Sequence, residues 1–293
     1  MERVLGDRRA ILLFIAPALL LYTVVMLVPI VWSTSYTFLD GNPITGFEWV
    51  GLNNYATVLA DPGFWQATGF SVRYAIIATV LQVAAGLGLS LLYVFVLKRS
   101  SALVRTLVFF PIVLPTAAVA QLFVQLFALV PQEGPVNSLT AALGLGTMNW
   151  LGQPDIAFIV LIIMDVWRSM GFYAVLLYAG LVAIPDDVLE AARLDGAHRW
   201  KLVRFIVLPS ILPVLVSTVI FSINGAIKVF DSVFALTGGG PNGATTPLTL
   251  LMFRTSFAFG QYGEGSTIAM TLTLLSLVVT IAIFRGARKD MTV

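Results

Sequence analysis

The fold is decided by apolar stretches such as residues 74–97, which have the sequence YAIIATVLQVAAGLGLSLLYVFVL. These 24 residues contain no Asp, Glu, Lys or Arg. A helix of about 20 residues is long enough to cross the hydrocarbon core of a bilayer. Because no water is present there to pair with backbone groups, such a run is predicted to be an α-helix. The stretch therefore predicts a membrane span.

The composition of the whole chain agrees with that prediction. Hydrophobic residues make up 58% of the 293 residues and charged residues only 11%. A soluble domain carries about 25% charged residues, so this chain has too few to cover a surface that faces water. The absence of cysteine excludes a disulfide scaffold, and a net charge of +2 gives no indication of nucleic-acid binding. We predict an integral membrane protein.

Five further runs have the length and composition of a membrane span. The alternating pattern of ten-residue strands that a membrane β-barrel needs is absent. We therefore predict an all-α integral membrane protein with one transmembrane domain over residues 1–293, and a folded loop at 185–205. The six predicted spans are residues 11–31, 74–97, 106–130, 156–184, 206–228 and 265–284.

Basic residues are distributed unevenly between the two sides of these spans. Of the 17 Lys and Arg, 13 precede the first span, follow the last, or lie in the loops after the second and fourth. Only Arg73 and Arg254 fall on the opposite side. The positive-inside rule then predicts that both termini are cytoplasmic. The first apolar run is longer than the core of a signal peptide, so we expect an uncleaved first helix.

The loop of residues 185–205 is predicted to form a helical hairpin. Asp186 and Asp187 place negative charge at the positive end of a short first helix, and Gly196 permits a break after it. A second short helix is predicted from His198 to Phe205. Such a hairpin could dock to a soluble partner or lie as a connector in the membrane interface. The residue pattern by itself leaves both interpretations open.

The loop also contains a spaced motif. Glu190-Ala191-Ala192, Gly196, Ile206, Leu208 and Pro209 reproduce the pattern E-A-A-x3-G-x9-I-x-L-P. This motif resembles that of the membrane subunits of binding-protein-dependent ABC importers. The segments VGLNNY at 50–55 and LTGGGP at 236–241 are similar to the carbohydrate-uptake branch of that family, which includes permeases for maltose, lactose and glycerol phosphate.

The resemblance implies a type I ABC importer permease fold and a transport subunit that is not an enzyme. It implies a second homologous permease, two ABC ATPase subunits that use ATP and Mg²⁺, and an extracytoplasmic solute-binding protein, assembled in the cell membrane. No P-loop motif is present, so the chain itself is expected to bind no cofactor, and with one His and no Cys no metal site is predicted.

The resemblance also assigns roles within the loop. Its helix would be the coupling helix, Glu190 would pair with a basic residue of an ATPase subunit, and Gly196 would supply a bend that a side chain would obstruct. The residues expected to couple the chain to the ATPase are Glu190, Ala191, Ala192, Asp195, Gly196, Ile206, Leu208 and Pro209.

Ionisable and polar side chains within the predicted spans are candidates for a solute path, because such residues are costly at membrane depth. Asp165 and Arg168 share a helix face, and Lys228 and Asp231 repeat their spacing. The alternative for both pairs is a structural ion pair. The amides of Gln125 and Asn224, like that of Gln121, could bind hydroxyl groups or join helices. The candidate path residues are Asp165, Arg168, Trp167, Lys228, Asp231, Gln125 and Asn224.

Trp167 lies between the first ionisable pair, and in the family's maltose member a Trp at this place lines the sugar path. The resulting hypothesis is a permease for a sugar or oligosaccharide. Import of glycerol phosphate or another polyol-like solute is an alternative, since Arg168 and Lys228 could attract an anion. Alternatives from other classes are an ion-coupled secondary transporter, with Asp165 or Asp231 as the proton site, and a structural assembly subunit.

Overall fold

The structure is a computed structural model that describes residues 8–97, 100–130 and 132–290, with side chains described from Leu12 to Gly286 apart from these gaps. Helices dominate this part of the chain. In chain order they are α1 (Arg8–Tyr22), α2 (Val28–Tyr36), α3 (Asn53–Ala60), α4 (Pro62–Leu91), α5 (Ser101–Val113), α6 (Thr116–Leu126), α7 (Pro135–Ala142), α8 (Pro154–Val182), α9 (Asp186–Leu194), α10 (Trp200–Leu202), α11 (Leu208–Ser210), α12 (Leu212–Ile227), α13 (Asp231–Leu236), α14 (Leu248–Phe253) and α15 (Tyr262–Asp290).

Wide π-helical turns join or extend several of these helices. They occupy Thr23–Leu27, Leu92–Leu97, Val203–Val207 and Arg254–Ala258. The chain divides into two compact units. One comprises Met1–Phe64 and Leu251–Thr271, and the other comprises Trp65–Leu250 and Leu272–Val293.

Within the part of the chain that the structure describes, four helices are long and apolar enough to cross a membrane by themselves. They are Leu12–Tyr36, Pro62–Leu97, Pro154–Val182 and Tyr262–Gly286. Two bent pairs of helices have the same apolar character, which makes six spans if each pair crosses once. The helix of the second span, α4, begins at Pro62, twelve residues before the predicted residue 74, because the polar segment that precedes the apolar run is also helical.

The third predicted span, 106–130, is broken. Ser101–Val113 and Thr116–Leu126 meet at an angle of 95°. Pro115 causes the break, because its ring disfavours a helical conformation of the preceding residue, and Leu114 is accordingly extended with ψ 140°. The prediction of one continuous helix here is wrong, and the helix ends at Leu126 rather than at residue 130.

The fifth predicted span, 206–228, is also broken. Trp200–Ser210 and Leu212–Ile227 meet at 74°, with Ile211 between them. Pro213 lies in the first turn of α12 and cannot donate the backbone hydrogen bond that would continue the preceding helix. The second loop helix begins at Trp200 instead of His198, because Arg199 has φ +47° and is not helical, and it continues to Ser210.

A small β-hairpin modifies the all-α prediction. Its strands, β1 (Leu39–Asn42) and β2 (Gly46–Trp49), pair antiparallel with Leu39 opposite Trp49. The side chain of Asn42 closes the turn, because its Oδ1 accepts hydrogen bonds of 2.9 and 3.0 Å from the next backbone N–H groups, those of Ile44 and Thr45. The sheet has two short strands, so the protein remains essentially helical.

A hydrophobic cluster joins the loop of residues 185–205, called the coupling loop below after its predicted role, to the end of α8. It excludes water from the contact between the loop and the membrane helices. Leu91 and Phe95, at the end of the second span, pack against it from the side. The buried members are Leu177, Leu181, Leu189, Ala192, Leu202, Val207 and Ile211.

Gly171 permits α8 to approach α5 closely. A Cβ atom at this position would meet the backbone of the other helix, at 2.7 Å from the carbonyl carbon of Val108 and 2.8 Å from Cα of Phe109. Small residues allow such backbone contact between membrane helices. This contact positions the middle of α8, which carries the ionisable residues described next.

Candidate functional site

A cavity of about 350 Å³ lies among the membrane helices of the second unit. Its wall is formed by α4, α8, α12, α13 and the break between α5 and α6. The polar lining residues are Tyr74, Gln82, Thr116, Asp165, Arg168, Ser169, Tyr173, Ser222, Lys228, Asp231 and Ser232. The others are Ile112, Phe172, Phe221, Gly225, Ala226, Val229 and Phe230.

Asp165 is the centre of a hydrogen-bond network on one wall. The residue is only 4% exposed. Its Oδ1 accepts a hydrogen bond of 2.7 Å from the hydroxyl of Ser232, and its Oδ2 accepts one from the hydroxyl of Tyr74. Nε of Arg168 lies 3.7 Å from Oδ1, so the predicted ion pair is present. These partners stabilise a carboxylate that would otherwise be very costly to bury.

A second polar pair lies on the same cavity. The hydroxyl of Ser222 on α12 donates a hydrogen bond of 2.8 Å to Oε1 of Gln82 on α4, and both side chains are buried. Phe172 and Tyr173 contribute aromatic rings to the lining. The cavity therefore combines hydroxyl groups and one amide with aromatic rings.

The charges around the cavity balance. Asp165 faces Arg168 in the ion pair, and Lys228 and Asp231 line the cavity on its exposed side. Within the described residues, no ion pair joins Lys228 to Asp231. Two formal positive charges and two formal negative charges thus line one space.

The structure brings together four of the seven predicted path residues, namely Asp165, Arg168, Lys228 and Asp231. Trp167 does not line this cavity. It is half-buried, and its ring centroid lies 6.0 Å from that of Phe123 on α6. Its visible role is therefore packing between two helices.

The amides of Asn224 and Gln125 also lie outside the cavity lining. Nδ2 of Asn224 donates a hydrogen bond of 2.9 Å to Thr280, and its Oδ1 accepts one of 2.6 Å from Ser276. Asn224 therefore joins α12 to α15, as in the helix–helix alternative. Gln125 is exposed. Nε2 of Gln121 lies 3.4 Å from the carbonyl oxygen of Ala235, to which it donates.

Several lining residues were not among the candidates from the sequence. Gln82 and Ser222 are uncharged polar residues within apolar runs, the same signal that indicated Gln125 and Asn224. Tyr74 and Ser232 carried no such signal. Their importance follows only from the hydrogen bonds that they donate to Asp165.

The first helix of the coupling loop ends in a glycine cap. Gly196 has φ +84°, and the N–H of Ala197 donates a 2.9 Å hydrogen bond to the carbonyl of Ala192 while that of Gly196 donates one of 3.1 Å to Arg193. This is a Schellman motif, in which glycine adopts the left-handed conformation without strain. No atom lies within 4 Å of a Cβ placed on Gly196. A side chain here would therefore be disfavoured by the backbone conformation, and not by contact with a described residue distant in the chain.

The predicted coupling residues divide into two groups. Ala192 is buried in the cluster with Leu189, and Ile206 and Leu208 are half-buried beside it. These residues attach the loop to the membrane helices. The exposed members, available to a partner, are Glu190, Ala191, Asp195, Gly196 and Pro209.

Comparison with known proteins identifies the family. Residues 82–287 match the family described as binding-protein-dependent transport system inner membrane component. The chain belongs to this family. It is therefore a transport permease component of the inner membrane and depends on a binding protein, as the resemblance of the loop motif implied.

Curated relatives extend the match over nearly the whole chain. The trehalose/maltose transport system permease protein MalF of Thermococcus litoralis is 36% identical over 282 residues, which cover 94% of this chain and 92% of the relative. The sulfoquinovosyl glycerol transport system permease protein SmoG of Agrobacterium fabrum is 30% identical over 286 residues, which cover 97% of this chain and 92% of the relative.

A solved structure confirms the predicted fold. A chain of the bacterial alginate ABC transporter, in complex with an alginate pentasaccharide-bound periplasmic protein, superposes with a TM-score of 0.83 over 96% of both chains. The sequence identity is 20%. This likeness supports the predicted importer permease fold for this chain.

Proposed function

We propose that this permease component forms, with a second homologous permease, the membrane path for a neutral sugar or oligosaccharide. The supporting observation is the cavity beside Asp165, which offers several hydroxyl groups, the amide of Gln82 and aromatic rings in a charge-balanced wall. Hydroxyl and amide groups both donate and accept hydrogen bonds, as sugar hydroxyls require. The carbohydrates in the names of the relatives support a carbohydrate as the solute. Its neutrality is inferred from the charges of the cavity alone, since the alginate of the solved complex is an acidic polysaccharide.

Charge balance favours a neutral solute over glycerol phosphate. A phosphate group would have to compete with Asp165 for Arg168 and with Asp231 for the cavity beside Lys228. Without surplus positive charge, the desolvation of an anion would not be compensated. The alternative of an ion-coupled transporter is disfavoured by membership of a binding-protein-dependent family.

The coupling loop supports a mechanism driven by ATPase subunits. We assign two ATPase subunits, which bind ATP and Mg²⁺, to the side of the exposed Glu190, and no cofactor to this chain itself. Leu189 and Ala192 attach α9 to Leu177 and Leu181 of α8. Helix α8 also carries Asp165. A displacement of α9 is therefore transmitted along one rigid helix to the cavity.

The same assignment places both termini and the coupling loop in the cytoplasm. The binding protein would deliver the solute on the opposite side, to which the β-hairpin of residues 39–49 belongs in this topology. The asymmetry of Lys and Arg between the two sides supports this orientation.

Uptake into proteoliposomes tests the proposal. The complete complex, reconstituted with its binding protein, should accumulate a labelled disaccharide only when ATP is supplied to the ATPase subunits. Glycerol phosphate in excess should not compete, and an ionophore should not inhibit. Uptake that an ionophore abolishes and that needs no ATP would overturn the proposal.

A variant of the coupling loop tests the role of the partner. Glu190→Lys should leave ATP hydrolysis detectable and reduce uptake strongly. The exposed carboxylate would be replaced by a positive charge, which the basic residue of the ATPase subunit would repel. Asp186→Lys, an exposed acidic residue of the same helix outside the motif, is the matched control. Equal losses of uptake in the two variants would indicate a general charge effect instead of a specific pairing.

A further inference from the structure

A groove of about 470 Å³ lies between the end of the second span and the coupling loop. Leu92, Phe95 and Val96 form one wall and belong to the π-helical segment that ends the span. Leu202 and Val203 form the opposite wall. None of these five side chains can form a hydrogen bond, so the groove suits a hydrocarbon chain.

Two arginines of the coupling loop complete the lining. Arg193 lies in the last turn of α9, and Arg199 lies between α9 and α10. Both are exposed, and neither forms an ion pair with a described residue. No Asp or Glu occurs among the described residues that line the groove. The groove therefore combines an apolar wall with uncompensated positive charge.

The position of the groove matches the boundary between hydrocarbon and headgroups. Its apolar wall belongs to the membrane span Pro62–Leu97, and Val96 in the last turn of that span is 67% exposed. Trp200 is also exposed, at 66%, next to Arg199. Tryptophan is enriched at the membrane–water interface because it is amphipathic.

We propose that this groove is a binding site for an anionic phospholipid of the leaflet on the side of the coupling loop. An acyl chain would lie along Phe95 and Val96, and the phosphate group would contact Arg193 and Arg199. Basic pockets beside membrane helices bind anionic headgroups by this combination of contacts. A free phosphate ion would gain nothing from the apolar wall, whereas a phospholipid satisfies both parts of the groove.

The bound lipid would connect the membrane to the coupling loop. Leu202 is buried in the cluster that also contains Leu189 and Ala192 of α9, and Phe95 packs against the same cluster. A lipid in the groove would contact Leu202 and Phe95 and thereby restrict the position of α9. Occupancy of the groove should therefore strengthen the coupling of ATP hydrolysis to uptake.

Lipid titration of the purified complex, followed by native mass spectrometry, tests the site. The probes are phosphatidylglycerol and phosphatidylcholine, each added to the assembled complex in detergent. Arg193→Gln/Arg199→Gln should lower the preference for phosphatidylglycerol about thirty-fold, because each basic side chain near an anionic membrane contributes a factor of about five. Lys201→Gln/Arg204→Gln removes the same charge from the same loop outside the groove and should retain the preference.

Two further arms separate a lipid from other ligands. Val96→Trp fills the groove and keeps both arginines, so it should reduce the binding of phosphatidylglycerol as well. Inorganic phosphate should not displace the lipid. The proposal is overturned if Arg193→Gln/Arg199→Gln binds phosphatidylglycerol like the control variant, or if phosphate displaces the lipid. It is also overturned if the double arginine variant loses the ATPase subunits from the complex, since the groove would then be a protein contact.

Reconstitution tests the link to coupling. Vesicles of phosphatidylcholine alone are compared with vesicles of equal parts phosphatidylcholine and phosphatidylglycerol. The wild-type complex should transport more solute per ATP hydrolysed in the mixed vesicles, and Arg193→Gln/Arg199→Gln should lose that difference. A difference that persists in the variant would place the lipid effect elsewhere.

Discussion

The hydroxyl of Ser232 donates a 2.7 Å hydrogen bond to Oδ1 of Asp165, a residue 67 positions earlier in the chain. The other oxygen of the same carboxylate accepts a hydrogen bond from Tyr74. One buried side chain thereby joins α4, α8 and α13 at the wall of the proposed sugar path. Because these helices surround the cavity, this carboxylate helps to fix their relative positions.

Replacing the carboxylate of Asp165 by its neutral isostere should weaken the contacts among these helices. Asp165→Asn removes the negative charge that faces Arg168 and replaces one acceptor oxygen by a donor. We expect a loss of about 2–4 kcal/mol in stability, seen as a lower thermal unfolding temperature in detergent, and reduced uptake of the neutral sugar. Asp155→Asn, an exposed position at the start of the same helix, serves as control. If both variants unfold at the same temperature, the carboxylate of Asp165 does not join these helices.

Trp167→Ala distinguishes packing from sugar stacking. The ring of Trp167 lies beside Phe123 and outside the cavity, so we expect a loss of about 1–2 kcal/mol in stability and normal uptake per assembled complex. A double-variant cycle with Phe123→Ala should give a coupling energy of about 1 kcal/mol. Full assembly with lost uptake would instead support the sugar-stacking role predicted from the sequence.

The backbone conformation of Gly196 determines which substitutions it tolerates. With φ +84° and no neighbour within 4 Å of a Cβ atom, the position should accept asparagine, which adopts the left-handed region more readily than other residues. Gly196→Val and Gly196→Pro should disrupt the cap and uncouple ATP hydrolysis from uptake. ATPase activity and uptake of the assembled complex are compared for the three variants. Transport by Gly196→Pro at the wild-type rate would contradict the assignment of α9 as a coupling helix.

The absence of cysteine allows the topology to be mapped by single substitutions. Asn53→Cys and Asn242→Cys occupy exposed positions and should react with an impermeant maleimide added to intact cells. Asp187→Cys, exposed in the coupling loop, should react only after the membrane is opened. The reverse pattern would show that the asymmetry of Lys and Arg had been assigned to the wrong side.

The spans and the coupling motif could be predicted because they depend on residues that are near one another in the chain. An uncharged run such as 74–97 must form a helix in a bilayer whatever surrounds it. The motif from Glu190 to Pro209 is likewise defined by spacing alone. The positions of Pro115 and Pro213 were visible too, but the angles of 95° and 74° that they produce depend on the packing of the helices on either side.

The composition of the cavity was decided by tertiary structure. Hydropathy is almost unchanged when a helix rotates about its axis, so the sequence determined that Gln82, Asn224 and Asp165 lie in membrane helices but not which neighbours they face. Packing turned Gln82 toward Ser222, 140 residues away, and turned Asn224 toward Thr280. Gln82, Asn224 and Asp165 each form hydrogen bonds that compensate their desolvation, and the partners lie on other helices whose rotation only the folded chain determines.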